Sequence, residues 1–106
     1  MSDDSQLHVP PSFIALFVEP GRVKPRAPRA EIAARYELCE DLAQQLVEHA
    51  GEMLHGSGIS EDEVLRRCHQ GLSSSESGFD SGQAQWVIRR LAELLDWNCG
   101  ELFPGN

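Results

Sequence analysis

Apolar positions in this chain form one long periodic run and several shorter ones. Ile32, Tyr36, Cys39, Ala43, Leu46, Ala50 and Met53 follow each other at alternating steps of four and three. With 3.6 residues per turn these positions share one face, so the pattern predicts an amphipathic helix with a continuous apolar seam. Leu38 and Leu42 widen the stripe on one side, Val47 and Leu54 on the other. Glu31 suits the positive end of the helix dipole and Gly56-Ser57-Gly58 ends the helix, which places it at about 29–54 with Gly51 as its weak interior position.

Two shorter helices follow. Ser60-Glu61-Asp62-Glu63 reads as a capping box, with Ile59 and Val64 as its hydrophobic staple and Val64, Leu65 and Cys68 as its apolar side. This predicts a helix at about 60–70, terminated by Gly71. Residues 72–79 are a serine-rich loop. Asp80 with Gln83 predicts another cap, opening a helix at about 81–97. Its face carries Ala84, Val87, Ile88, Leu91, Leu94 and Leu95, flanked by Trp86 and Trp97. No central segment alternates with period two. The expected class is all-α: a small helical bundle with one long central helix and two shorter ones, preceded by an apolar arm.

That arm is Val9-Pro10-Pro11-Ser12-Phe13-Ile14-Ala15-Leu16-Phe17-Val18. Ser12 is placed to cap a short helix with Phe13, Leu16 and Phe17 on one side, and a strand is the alternative. Two roles stay open for these three residues: a cover over the core, or a docking arm for another protein. Pro20, Gly21, Pro25 and Pro28 predict an extended, semi-rigid linker between arm and body. The expected division is residues 1–28 for a frayed tail, arm and Pro-rich strap, and 29–106 for the helical domain.

Charge sharpens this picture. The 106 residues carry a formal net charge of −8, yet Arg22, Lys24, Arg26 and Arg29 supply four of the nine basic residues within eight positions. From Ala30 to Asn106 there are five basic and fourteen acidic residues, a balance of −9. An acidic body repels phosphate backbones and anionic membranes, whereas the basic strap suits an acidic face, including that of a second copy. The strap also makes nucleic acid the runner-up partner, but the first turn of the 60–70 helix, Glu61-Asp62-Glu63, would repel a phosphate backbone. Three widely spaced cysteines describe no disulfide framework, the Met-Ser-Asp-Asp start lacks the positive charge of a secretory signal, and the six-residue run Phe13–Val18 is too short to span a bilayer. A reduced cytoplasmic setting without membrane contact is the expectation.

The candidate chemistry is thin. Lys24, the only lysine, lies between Val23 and Pro25, so no phosphate loop exists and ATPase chemistry is excluded. His49 and His55 stand six positions apart and diverge on a helix, as do adjacent Cys68 and His69, so no metal site is expected. Cys39 falls in the seam, where burial makes a thiol inert, and Cys99 has no activating neighbour. Glu40-Asp41 and Glu61-Asp62-Glu63 read as solvated helix surface and cap chemistry. No catalytic residue and no cofactor are expected.

A helix of 26 residues extends about 39 Å. A domain of this size spans roughly 33 Å, so the seam is expected to serve a homodimer, with the core of a monomeric bundle as the alternative. Pro10-Pro11-Ser12-Phe13 through Leu16-Phe17, and Arg35-Tyr36-Glu37-Leu38-Cys39-Glu40-Asp41-Leu42-Ala43, resemble a group of short uncharacterised proteobacterial proteins, some of which carry the label "ATPase with chaperone activity". The resemblance implies a chaperone-like role and carries no functional residues. Its ATPase half conflicts with the missing phosphate loop. The functional expectation is a non-enzymatic protein-interaction module, chaperone-like or an adaptor, that self-associates through the long helix and has an unknown protein partner.

Overall fold

Hydrogen bonding within helices accounts for most of the backbone between residues 8 and 98, the part of the chain that the computed structural model describes. Helix α1 spans Pro11–Ile14 and continues as a 3-10 turn at Ala15–Phe17. Helix α2 spans Arg29–Ser57, α3 spans Glu61–Leu72, a 3-10 turn occupies Ser75–Ser77, and α4 spans Ser81–Leu95. No strand occurs among the described residues, so the class is all-α, with a long helix packed against shorter ones.

Local chemistry explains the starts of α1, α3 and α4. Pro11 occupies the first helical position of α1, where a missing N–H costs nothing and the fixed φ is already helical. Ser12 therefore lies inside α1 and extended Pro10 holds the cap position that the serine was expected to take. The arm is helical, not a strand. Ser60 Oγ accepts from the Glu63 amide at 3.1 Å, and Asp80 Oδ1 accepts from the Gln83 amide at 2.8 Å, so both side-chain caps form, but the reciprocal half of the Ser60–Glu63 box does not. The Glu63 carboxylate accepts from Arg66 and Arg67, at 2.8 and 2.9 Å.

The helix ends differ from the glycine-based expectation. Gly56 stays helical and α2 runs on to Ser57, because Gly58 is the residue that adopts the left-handed conformation, at φ +71°. Gly71 also stays helical. The Ser73 amide and hydroxyl both donate to the His69 carbonyl, each at 2.9 Å, which lets α3 reach Leu72. Helix α4 stops at Leu95, two residues before the expected end. Asp96 turns left-handed at φ 61°, the Trp97 amide donates to Ala92 O at 2.8 Å, and the Asp96 amide donates to Glu93 O at 3.1 Å. That pair of bonds is a Schellman ending, with an aspartate where glycine is commonest.

The chain forms two compact units, Met1–Leu38 and Cys39–Asn106. Helix α2 begins in the first and ends in the second. In the second unit, Ala50 of α2 lies in one buried cluster with Val64, Leu65 and Cys68 of α3 and Ile88, Leu91 and Ala92 of α4. Leu46, Val47, Met53, Leu54, Ile59, Leu72, Leu95 and Trp97 pack around it. Cys39, Ala43 and Ala50 on α2 are small, and the residues from α3 and α4 that fill the core are mostly larger. Small residues on one helix leave room for larger ones on the helices that face it.

Leu91 is fully buried, so Leu91→Ala should lower the free energy of urea unfolding by about 3 kcal/mol. Gly51 lies within α2 and a Cβ built there meets nothing within 4 Å. Gly51→Ala should therefore raise stability by about 0.5–1 kcal/mol, read as a rise of a few degrees in melting temperature.

Candidate functional site

In the first unit an aromatic cluster anchors everything else. The Phe13 and Phe17 rings lie 5.5 Å apart, and Tyr36 of α2 meets Phe13 edge-on at 5.6 Å. Phe13 and Phe17 are buried and Leu16 is half-buried. Such tilted and edge-on pairs add about 0.5–1.5 kcal/mol each to what burial contributes.

The segment that follows is a closed loop, not the extended linker that its prolines suggested. Pro20 and Gly21 occupy the centre of a turn in which the Arg22 amide donates to Glu19 O at 3.0 Å. Proline sets φ at the first central position, and Gly21 supplies the φ of +81° that the second requires in a type II turn. The Arg26 amide then donates back to Phe17 O at 2.7 Å, and its guanidinium stands 5.2 Å from the Phe17 ring centroid. The backbone bond and the cation–π contact clasp the loop onto the buried aromatic ring.

The clasped loop presents Arg22, Lys24 and Arg26, all exposed, as is Arg29 at the start of α2. Val23 stands between two of these cations at 92% exposure. An open concavity of about 470 Å³ is lined by Glu19, Arg22, Val23, Lys24, Pro25 and Arg26. Among the described residues Val23 and Leu38, at 48%, are the two exposed large apolar side chains. The concavity sets three cations and the Glu19 carboxylate around one apolar tip. The Pro20-Gly21 pair is the sequence signal for the turn. Leu38 is marked as lying off the stripe by Glu37, Asp41 and Gln45 one, three and seven positions away.

The other expected site residues are distributed differently. In the seam, Ile32, Cys39, Ala43 and Ala50 are buried within the single chain, and Tyr36, Leu46 and Met53 are half-buried. The buried four have no surface left for a second copy in this conformation. Cys68 is buried, which pushes its thiol pKa up and quiets it as a nucleophile. Cys99 and residues 1–7 lie outside the described residues. No group of His, Cys, Asp and Glu suited to a metal ion gathers among the described residues, and no described helix is long and apolar enough to cross a membrane.

In the second unit the carboxylate of Glu40, expected to be solvated surface, joins α2 to α4. Arg90 Nε donates to Glu40 Oε1 at 2.9 Å and Nη2 to Oε2 at 3.0 Å, while Nη1 reaches Glu93 Oε1 at 3.1 Å. The guanidinium of Arg90 holds the Glu40 carboxyl below its usual pKa, with a smaller contribution from the Gln44 amide at 2.9 Å and burial acting against both. Glu40 in turn raises the pKa of Arg90. The Glu40 side chain keeps 19% of its surface in water and that of Arg90 33%, so screening limits the pair to about 1 kcal/mol. A folded-state pKa below the unfolded one stabilises at pH above the unfolded value, near 4.3, and the gain disappears as pH falls through the folded value. Wild type and Glu40→Gln should thus differ by about 1 kcal/mol in urea unfolding at neutral pH, and their stabilities should converge below about pH 4.

Comparison of the chain with family models, with curated proteins and with solved structures found no match.

Proposed function

We propose that this chain is a non-enzymatic protein-interaction module, adaptor or chaperone-like in type, that receives an acidic segment of a partner protein on the loop Glu19–Arg26. The observation that carries this reading is Val23, 92% exposed between cations on a loop clasped by its own backbone and by Arg26 over Phe17. A loop already held in one conformation loses little entropy on binding. Cations around an apolar tip fit a carboxylate-rich segment with an apolar residue among its acids. Self-association through α2 belongs to the same reading, using the outward side of the helix where Leu38 is exposed and not the buried part of the seam.

A phosphate backbone is the second ligand that exposed Arg22, Lys24, Arg26 and Arg29 could take. Glu19 in the same concavity and the −9 balance from Ala30 to Asn106 argue against it.

Fluorescence anisotropy with a labelled oligo-glutamate peptide tests the reading. Binding should strengthen as salt is lowered and disappear in the double variant Arg22→Glu/Lys24→Glu, while a neutral peptide of equal length stays free. Random-sequence duplex DNA is the contrasting probe. If all four cations met phosphates, log affinity would fall against log salt with a slope of about −3.6. DNA binding of that kind without oligo-glutamate binding would replace the protein-docking reading with the nucleic-acid one.

A further inference from the structure

The two large apolar side chains exposed among the described residues stand in surroundings of opposite charge excess. Val23 lies between Arg22 and Lys24 on the loop. Leu38 lies on the first part of α2, where its neighbours Glu31, Ala34 and Glu37 are all exposed. Steps of three and four bring Glu31, Ala34 and Leu38 onto one side of the helix, with Glu37 adjoining. Ala34, one turn before Leu38, carries only a methyl group and so stands lower than its longer neighbours. Each patch has an apolar residue at its centre; bases outnumber Glu19 on the loop, acids outnumber Arg35 around Leu38, and both apolar residues belong to the unit Met1–Leu38.

We infer that the occupant of the basic loop is a second copy of this chain, with Val23 of one copy seated on Ala34 and Leu38 of the other and Arg22 and Lys24 facing Glu31 and Glu37. This rests on the docking reading of the loop and names its partner. A twofold pair forms the contact twice, because each copy carries both patches. Burial of an apolar tip within a ring of opposite charges joins a non-directional attraction to one that sets orientation.

The net charge of −8 on each copy gives the association a particular salt dependence. At about 10 mM salt the Debye length is about 30 Å and the two bodies repel as wholes; at about 150 mM it is about 8 Å and only the touching patches matter; at 1 M those are screened too. The dimer should be tightest at the middle condition.

Sedimentation equilibrium on the full chain at tens of micromolar tests the inference. Wild type should dimerise, and Leu38→Lys should weaken the dimer by about tenfold or more. Two charge-reversed forms give the decisive comparison: Arg22→Glu/Lys24→Glu carries acids on both patches, and Glu31→Lys/Glu37→Lys carries bases on both. Each alone should be monomeric, and an equal mixture should form a heterodimer, since both contacts are restored in it. All the substituted positions are exposed, so the fold is expected to survive, with helix content by circular dichroism as the control. A monomeric wild type at every salt concentration overturns the inference, as does a dimer indifferent to both reversals or a mixture that stays monomeric. If any of these occurs while oligo-glutamate still binds the loop, the docking reading stands with a different partner. If oligo-glutamate binding is absent as well, both fail.

Discussion

A helix face made of small side chains must be covered by larger ones from elsewhere, and the second unit is arranged around that requirement. Cys39, Ala43 and Ala50 of α2 are wholly buried. Ala50 shares its cluster with Val64, Leu65, Ile88 and Leu91, which reach it only if α3 and α4 each turn their apolar side inward. Burial at about 25 cal/mol per Å² drives the association but does not set the rotation or register of a helix. The devices that do so are polar and local. Ser60 and Asp80 fix where α3 and α4 begin, and the left-handed Asp96 turns Trp97 back onto the core. The forked contact between Arg90 and Glu40 then ties α4 to α2 at one register.

The first unit is held by a different principle. Its buried apolar content is small, and aromatic geometry with backbone hydrogen bonds does the ordering. Phe13, Phe17 and Tyr36 interlock, and the return bond from Arg26 to Phe17 O uses that anchor to hold a loop whose side chains are left in water. Folding has already removed conformational freedom from the loop backbone, which lowers the cost of a later encounter. A surface that is ordered, cationic and apolar at its tip is poorly explained by folding alone, since Val23 contributes almost nothing to burial. The proposed interaction role rests on that mismatch.

Charge placement gives the two ends of the chain separate tasks. The balance of −9 from Ala30 onward keeps the helical surface soluble and discourages indiscriminate contact with phosphates. The four cations between Arg22 and Arg29 interrupt that field at one place. In the proposed reading, selectivity comes from short-range complementarity at the loop, because at physiological salt charges farther than about 8 Å apart are largely screened.

How much was legible from residues alone follows from the range of each interaction. The caps at Ser60 and Asp80, the seam on α2 and the apolar face of α4 depend on partners within a turn or two, so spacing reveals them. Helix ends are settled by competition among neighbours: within the expected Gly56-Ser57-Gly58 stop it is Gly58 that turns left-handed, and Gly71 stays helical because Ser73 satisfies the His69 carbonyl. Pairings between distant positions were hidden: Glu40 with Arg90, fifty positions on, and Arg26 with the ring of Phe17. Sequence by itself determined the helical class, the starts of α2, α3 and α4 and the segregation of charge, because helical periodicity and capping are short-range chemistry. Only the tertiary structure decided which apolar residues remain outside, leaving Val23 and Leu38 in water while Phe13 and Ala50 are buried, because exposure depends on what the rest of the chain brings up against each side chain.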